Sequence, residues 1–315
     1  MDIKNNINSS AQRISSYINK TPVLTSGLIN KIVSAELYFK CENFQKMGAF
    51  KMRGATNAIL QLSDEQIQKG IITHSSGNFA QAVALAAKGL NIKAYIVMPS
   101  NAPEVKKSAV RNYGGEIIEC VPTLAGREST TKKLIEEKSV TFVHPFNDIN
   151  VVMGHASAGK ELLTEYPDLD SIVVPVGGGG LISGVALSAS VFGSNCTVIG
   201  AEPFNVDDAY HSLKEGKIVP NKPNADTIAD GLKTTLGDVT FKIISQYVKE
   251  IIRVTEEEII DAMQLIWERM KIIIEPSSAV TLAAVLRSKE KYKNKKVGLL
   301  LSGGNVDLSN LPFAK

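Results

Sequence analysis

Ala49-Phe50-Lys51-Met52-Arg53-Gly54-Ala55 is the stretch from which the fold of this chain can first be inferred. Its lysine stands between two large apolar side chains, Phe50 and Met52, which partly remove it from water. Desolvation favours the neutral amine, and a neutral amine can attack an aldehyde. Because most lysines are solvated surface charges, Lys51 alone indicates little. What it predicts depends on the segments that accompany it.

Three polar or glycine-rich segments follow the lysine: Ser75-Ser76-Gly77-Asn78, Gly177-Gly178-Gly179-Gly180 and Ser302-Gly303-Gly304-Asn305. Consecutive glycines let backbone N–H groups surround a phosphate at a helix N-terminus. Such a glycine tetrad could also be a flexible turn or a nucleotide site. A Rossmann fingerprint, however, needs GxGxxG on an early βα turn with an acidic residue about 20 positions later, and neither condition is met cleanly. Together the segments supply an amine, an amide, a phosphate cradle and a hydroxyl. Those are the groups needed to hold pyridoxal phosphate.

The composition is that of an ordinary globular protein with one or two domains: 315 residues, 44% hydrophobic and 21% charged. A net charge of +3 without a basic block argues against nucleic-acid binding. Cys41, Cys120 and Cys196 are widely spaced, which disfavours disulfides or zinc and suits a reducing compartment. No signal peptide and no apolar run of ~20 residues is present. We therefore expect a soluble cytoplasmic protein with no membrane partner.

Short apolar runs alternate with amphipathic stretches, which is typical of a mostly parallel α/β sheet. The pattern predicts strands at 71–74, 93–98, 116–120, 139–144, 171–176, 197–201 and 296–301. It predicts helices at 81–88, 102–113 and 256–270, the last opened by a Thr255–Glu258 capping box. The segments 61–69 and 145–150 are turn-rich. We expect residues 1–69 and 148–315 to form a large lobe carrying the lysine, the tetrad and a metal site. Residues 70–147 are expected to form a small mobile lobe carrying the asparagine loop.

With these segments in order, the chain resembles the fold type II pyridoxal-phosphate enzymes, an α/β class similar to tryptophan synthase beta with two open twisted-sheet lobes. The resemblance is strongest to the serine racemase and serine/threonine dehydratase branch and extends from Thr21 to Leu308. Its most specific stretches are Cys41-Glu42-Asn43-Phe44-Gln45-Lys46, Thr227-Ile228-Ala229-Asp230-Gly231, Trp267-Glu268-Arg269-Met270-Lys271 and Glu275-Pro276.

The resemblance implies a role for each cofactor-binding residue. Lys51 would bind the cofactor covalently and then act as base on the Cα proton of one enantiomer. Phe50 would pack against the cofactor ring, Asn78 would contact the ring 3-oxygen, and the glycine tetrad would bind the phosphate. Ser302 would hydrogen-bond the pyridine nitrogen. A serine can donate to an unprotonated nitrogen, which makes the ring a weaker electron sink and favours elimination or reprotonation at Cα.

Substrate contacts are implied in the same way. Ser75 and Gly77 would help bind the substrate carboxylate, and Asn78 would be a further substrate contact. Ser76 would also contact the substrate and be the base on the face opposite the lysine, as in racemases. The alternative for Ser76 is a helix N-cap. Arg127 could pair with a second carboxylate of the substrate. The alternative is that Arg127 is a solvated arginine on a helix.

A divalent cation site is implied by Glu202, Asp208 and the Val206 carbonyl. Oxygen ligands with waters suit Mg²⁺, Mn²⁺ or Ca²⁺. The alternative is an acidic loop of solvated charges. The family also suggests a homodimer and a nucleotide effector, which would involve Ser26, Tyr113 and Lys271.

Three departures from the family pattern concern the substrate pocket. Phe79 replaces the histidine that usually follows the loop asparagine, and Phe146 stands where the closest racemases have asparagine. His155 lies in Gly-His-Ala-Ser, where many relatives have Gly-Gln-Gly-Thr. The cofactor chemistry is unaffected by these changes, whereas the identity of the amino-acid substrate depends on them. His74, His144 and His211 are expected to be core or surface residues.

The sequence therefore predicts a pyridoxal-phosphate-dependent serine racemase with L-serine/L-threonine dehydratase activity that yields a 2-oxo acid and ammonia. One alternative is a threonine or 3-hydroxyaspartate dehydratase without racemase activity. A remote alternative is a non-catalytic sensor that binds the cofactor and an amino acid.

Overall fold

The apolar runs of the sequence form two separate β-sheets in the computed structural model, which describes residues 2–223 and 225–313. The strands are β1 (Val23–Leu24), β2 (Glu36–Cys41), β3 (Ile71–His74), β4 (Ala94–Pro99), β5 (Glu116–Cys120), β6 (Thr141–Phe142), β7 (Ser171–Pro175), β8 (Thr197–Pro203), β9 (Val248–Val254) and β10 (Lys296–Leu301).

The α-helices connect these strands in turn. They are α1 (Ile3–Ile14), α2 (Gly27–Val33), α3 (Lys51–Ile59), α4 (Asp64–Lys69), α5 (Asn78–Gly89), α6 (Glu104–Asn112), α7 (Leu124–Lys138), α8 (Ile149–Glu165), α9 (Gly180–Phe192), α10 (Asp208–Glu215), α11 (Asp238–Tyr247), α12 (Glu256–Met270), α13 (Pro276–Arg287) and α14 (Lys289–Tyr292).

The larger sheet has six strands in the order β1-β2-β10-β7-β8-β9, and only β1 runs antiparallel to its neighbour. Its central strands read as continuous apolar runs because helices cover them: β7 is buried throughout, and β10 is buried after its first residue. The fold class predicted from the sequence, an α/β fold type II pyridoxal-phosphate enzyme with two open, mostly parallel sheets, is confirmed.

The smaller sheet has four parallel strands in the order β5-β4-β3-β6. All of them lie between residues 71 and 142. This is the part of the chain in which the small lobe was predicted, and its mobility stays a prediction. Carboxyl ends of parallel strands are where ligands bind in open α/β sheets.

Two predictions about local structure were wrong. The strand expected at 139–144 is reduced to Thr141–Phe142, because Ser139 takes a left-handed conformation (φ 55°) at the end of α7. The turn-rich segment 61–69 contains α4, which the reciprocal capping bonds of Ser63 and Gln66 start. The capping box predicted at Thr255 and Glu258 is present, and α12 has the predicted bounds. None of the helices in the described ranges is both long and apolar enough to cross a bilayer.

Candidate active site

The predicted site segments meet where the carboxyl ends of the two sheets face each other. The lysine stretch begins at an isolated antiparallel bridge between Ala49 and Gly303, and the Phe50 amide donates to the Ser302 carbonyl at 3.0 Å. These two contacts join residues about 250 positions apart in the chain and bring the lysine beside the end of β10.

Lys51 is the first residue of α3 and is half-buried. Its Nζ donates to the Pro145 carbonyl at 3.0 Å and lies 5.0 and 5.5 Å from the ring centroids of Phe50 and Phe79. Removal from water lowers the pKa of Lys51 to about 8, while the charge of Glu275 opposes this effect. The neutral fraction near neutral pH is therefore larger than that of an ordinary lysine, and a neutral amine can act as a nucleophile or a base.

The helix that carries Lys51 is anchored by a buried ion-pair network. The Arg53 guanidinium donates from Nε to Glu42 Oε2 at 2.7 Å and from Nη1 to Glu161 Oε1 at 2.7 Å. Lys40 also pairs with Glu161, so the two cations meet two carboxylates. This charge-balanced network holds α3 against β2 and α8. It therefore fixes the position of Lys51, the first residue of α3.

The glycine tetrad forms the turn between β7 and α9. Gly179 has φ +86°, which favours glycine, and a Cβ on Gly178 would overlap the ring of Phe146. The Gly178 carbonyl accepts from Thr240 Oγ1 at 2.8 Å. Among the described residues, no acceptor is recorded for the amides of Gly177, Gly178 and Gly179. Free amides at the N-terminus of a helix suit a phosphate.

Ser302 lies at the end of β10 and is 3% exposed. Its Oγ is 3.1 Å from Ser278 Oγ, and Ser278 in turn donates to the Gly303 carbonyl at 2.7 Å. Either hydroxyl can donate in this pair, and the Ser302 proton is free for a ligand when Ser278 donates to Ser302. Ser278 was missed by sequence reasoning, because nothing in a Ser-Ser pair distinguishes it from a helix surface residue.

The asparagine loop joins β3 to α5. The N-cap of α5 is Gly77, so the alternative in which Ser76 caps this helix is wrong. Ser76 is half-buried, and Ser75 Oγ accepts from the Gly77 amide at 3.3 Å. The loop therefore leaves the Ser76 hydroxyl available for a substrate.

Asn78 links the two sheets through Glu275, a residue to which sequence reasoning gave no role. Asn78 Nδ2 is 3.1 Å from each Glu275 carboxylate oxygen, and Asn78 Oδ1 accepts from Asn305 Nδ2 at 2.8 Å. Burial raises the pKa of Glu275 to about 7. In the sequence, the only sign that Glu275 is special is its position directly before Pro276, the first residue of α13.

Arg127 lies near His74 beside the small sheet. Arg127 is half-buried on α7, and its Nε has no hydrogen-bond partner within the described ranges. Burial lowers the pKa of His74, and the charge of Arg127 lowers it further. A buried donor without an acceptor is unfavourable, so this Nε argues against the alternative of a fully solvated helix arginine, and the pairing of Arg127 with an anionic ligand stays a prediction.

The residues of the expected cation site lie together at the end of β8. Glu202 and Asp208 are buried, and the first-turn amides of Ala209 and Tyr210 donate to Glu202 at 3.2 and 3.0 Å. Burial, followed by the charge of Asp208, raises the pKa of Glu202. Two buried carboxylates that repel each other fit a cation, and the alternative of solvated surface charges is wrong. In the described residues, no third His, Cys, Asp or Glu completes a ligand set. Val206, also buried, lies between them in the chain.

The three departures from the family pattern shape the pocket walls. Phe79 is buried and faces the Lys51 amine, while Phe146 covers the tetrad. His155 is fully buried against the edge of Phe50, with ring centroids 4.7 Å apart, and neither of its nitrogens has a partner in the described part of the chain. Phe50 thus packs against the imidazole of His155. Burial holds the pKa of His155 far below its usual value, so this imidazole is neutral.

Comparisons with known proteins agree with this geometry. A family model for "Pyridoxal-phosphate dependent enzyme" matches residues 14–303. A serine racemase of Dictyostelium discoideum is 52% identical and covers 95% of this chain and 94% of that protein. A crystal structure of serine racemase from that organism superposes with a TM-score of 0.92, covering 96% of this chain and 98% of the other.

Two further relatives carry dehydratase or deaminase names. A β-hydroxyaspartate dehydratase of Paracoccus denitrificans is 47% identical and covers 96% of each chain. The structure of the processed form of threonine deaminase isoform 2 from Solanum lycopersicum is 33% identical with a TM-score of 0.92, covering 98% of this chain and 90% of that one.

Proposed function

The chain belongs to the pyridoxal-phosphate dependent enzymes, and from that premise we propose that it interconverts the enantiomers of serine and dehydrates L-serine and L-threonine. The observation that carries this proposal is the Lys51 amine, whose pKa is lowered to about 8 beside free tetrad amides and a buried Ser302 hydroxyl. These residues fit the aldehyde, the phosphate and the pyridine nitrogen of the cofactor. When bound, the cofactor supplies an electron sink that stabilises negative charge at the substrate Cα.

Some residues of the site bind the substrate, and others transfer protons. Ser75 and Gly77 help bind the substrate carboxylate through hydroxyl and backbone N–H groups, and the Asn78 side chain contacts the cofactor ring and the substrate. The Lys51 amine removes the Cα proton on one face. Ser76 supplies the second acid or base on the opposite face, so that a proton returned there inverts the enantiomer.

Dehydration uses the same first step. After Lys51 takes the Cα proton, the bond from Cβ to the hydroxyl breaks, and the hydroxyl leaves as water with a proton from the site. The released amino-acrylate takes up water again and loses ammonia, so serine yields pyruvate and ammonia. Ser76 is not needed for the L-enantiomer.

The identity of the cofactor lysine is tested by borohydride reduction of the purified protein followed by peptide mass spectrometry. Label is expected on Lys51 alone. Lys51→Ala should lose both colour and label, whereas Lys132→Ala, on the exposed face of α7, should keep them. A Lys51→Ala protein that stays coloured and reducible would contradict the assignment.

The balance of the two reactions is tested with Ser76→Ala. Serine inversion and pyruvate release are measured in parallel from each enantiomer. The variant should lose inversion and turnover of D-serine but retain dehydration of L-serine. A wild-type protein that releases keto acid without ever inverting serine would refute the racemase half. Release of no keto acid at all would instead indicate a non-catalytic sensor.

A second candidate function, 3-hydroxyaspartate dehydratase, is favoured by the unpaired Nε of Arg127. A second substrate carboxylate would satisfy this guanidinium. Arg127→Met should then raise the KM for 3-hydroxyaspartate and leave the KM for L-serine nearly unchanged. Equal effects on both substrates would exclude the proposed contact.

We propose that Glu202, Asp208 and the Val206 carbonyl hold Mg²⁺ or a related divalent cation together with waters. The repulsion between the two buried carboxylates supports this proposal. The cation would stabilise the large lobe and take no part in proton transfer. Chelation should lower the melting temperature of the wild type, and Asp208→Asn should abolish this response. An unchanged melting temperature and activity after chelation would refute the site.

We also propose that the smaller lobe closes over bound substrate, since the asparagine loop belongs to the predicted small lobe and Lys51 to the predicted large lobe. Closure would exclude water and bring Ser76 to the substrate. Small-angle scattering with and without a substrate analogue tests this: an unchanged radius of gyration, together with unchanged lobe angles in crystals, would count against it.

A homodimer and a nucleotide effector complete the proposal. Leu28 and Ile32, one turn apart on α2, are 56% and 48% exposed, and Ser26 caps the same helix. Leu28→Glu should dissociate a dimer in sedimentation, and ATP should raise activity through Ser26 and Lys271. A wild type that sediments as a monomer, or that ignores ATP, would refute the respective statement.

A further inference from the structure

Three consecutive residues at the end of the predicted small lobe contact the lysine, the tetrad and α11 in turn. The Pro145 carbonyl accepts from Lys51 Nζ at 3.0 Å. The Phe146 ring covers the tetrad so closely that a Cβ on Gly178 would overlap it. Asn147 donates to Asp238 at 2.6 Å, at the start of α11. The position of residues 145–147 therefore affects the lysine and the phosphate cradle together.

Two backbone amides of this segment bond to one side chain, His144. His144 Nδ1 accepts from the Asn147 amide at 2.9 Å and from the Phe146 amide at 3.3 Å. Within residues 2–223 and 225–313, no other acceptor is recorded for these two amides. An imidazole nitrogen that accepts must carry no proton, so His144 is neutral and bears its proton on Nε2.

The surroundings of His144 keep it in that state. Burial, followed by the charges of His74 on β3 and Lys51 on α3, lowers its pKa to about 4, and Asp238 on α11 opposes this shift. Its ring also packs edge-on against Phe146, with centroids 4.7 Å apart. His144 therefore remains an acceptor at every pH at which the Lys51 amine is reactive.

We propose that His144 is a positioning residue, whose Nδ1 holds residues 145–147 so that the Pro145 carbonyl aims the Lys51 amine and Phe146 covers the tetrad. This inference rests on the proposed role of Lys51 as the cofactor-binding lysine. It assigns His144 a function that the sequence did not suggest, since an isolated histidine was expected to be a core or surface residue.

The test compares substitutions that keep or remove the acceptor. In asparagine, Oδ1 is two bonds from Cβ, as Nδ1 is in histidine. Leucine has the same branching without an acceptor, and glutamine places its oxygen one bond too far. His74→Leu is the matched control. The His74 ring packs against Phe142 and His144, as a neighbouring imidazole should, but it accepts no hydrogen bond from residues 145–147.

Each variant is stripped of cofactor and titrated with pyridoxal phosphate, and the dissociation constant is read from absorbance and intrinsic fluorescence. The rate at which borohydride traps the label on Lys51 is measured alongside the melting temperature. His144→Leu should bind about tenfold more weakly, equal to about 1.4 kcal/mol, and label more slowly. His144→Asn should recover most of this loss, and His74→Leu should bind within about twofold of wild type.

Two results would overturn the inference: a His144→Leu protein that does not differ from wild type, and a His144→Asn protein that binds as weakly as His144→Leu. If His144→Leu does not fold, the comparison moves to asparagine and glutamine, and equal binding by these two overturns it. A wild type that is not labelled at Lys51 refutes the proposed function and this inference together. A labelled wild type with an unaffected His144→Leu refutes only the inference.

Discussion

Replacing Glu275 by glutamine should change the pH dependence of stability more than any other single substitution near the site. Glu275 is 4% exposed and accepts hydrogen bonds from Asn78 and from the Asn305 amide at 3.2 Å. Burial raises its pKa from the usual 4.5 to about 7, and Asp230 adds to the effect. Since one pKa unit corresponds to about 1.4 kcal/mol, ionising Glu275 in the folded protein costs about 3 kcal/mol.

The sign follows from which state holds the proton more tightly. The pKa of Glu275 is higher in the folded than in the unfolded chain, so between pH 4.5 and about 7 the folded protein binds more protons. The free energy of unfolding therefore falls across this range by about 3 kcal/mol in the wild type and stays level above it. Because glutamine cannot ionise, the free energy of unfolding of Glu275→Gln does not fall in this way.

The variant also loses one of the oxygen acceptors, which costs about 1 kcal/mol at any pH. Glu275→Gln should thus be less stable than wild type by about 1 kcal/mol near pH 4.5 and more stable by about 2 kcal/mol near pH 8. Urea unfolding of the cofactor-free proteins at several pH values measures the difference. Glu257→Gln, an exposed carboxylate on α12, is the control and should follow the wild type.

Parallel curves of unfolding free energy against pH for wild type and Glu275→Gln would refute the reasoning.

Glu275→Gln should also change the pKa of Lys51, because the charge of Glu275 opposes the effect of desolvation on that pKa. Removing that charge should lower the pKa of Lys51 further. The pH profile of labelling by pyridoxal phosphate and borohydride should then move to lower pH in Glu275→Gln.

Two further substitutions test the supports of the lysine and the phosphate cradle. Arg53→Met leaves Glu42 buried without its cation, so the free energy of unfolding should fall by about 3–5 kcal/mol in urea titrations; a fall below about 1 kcal/mol would show that the network contributes little. Gly178→Ala places a methyl group into the Phe146 ring, so cofactor affinity should fall about tenfold or more in the absorbance titration. Gly27→Ala, where a Cβ meets nothing within 4 Å, should keep wild-type affinity, and equal losses in both variants would contradict the assigned contact.

Features that depend on neighbours in the chain were predictable from the sequence. The Thr255–Glu258 capping box starts α12 at the predicted residue because both of its hydrogen bonds close within one helical turn. The glycine tetrad was correctly placed between a buried strand and a helix, because an apolar run followed by glycines and then a helical pattern is itself a local signal. The family motifs extended this to Lys51 and Ser302, which the structure brings together.

Features that depend on burial and on distant contacts were decided only by the tertiary structure. The pairing of Glu275 with Asn78 joins positions 197 residues apart, and nothing near either residue indicates it. The acceptor role of His144 depends on three charged or titratable neighbours from three different elements. A pKa is set by the loss of water and by charges within a few ångströms, and both exist only after the two lobes have packed together. The sequence determined which chemical groups are present, whereas the folded structure determined their protonation and their partners.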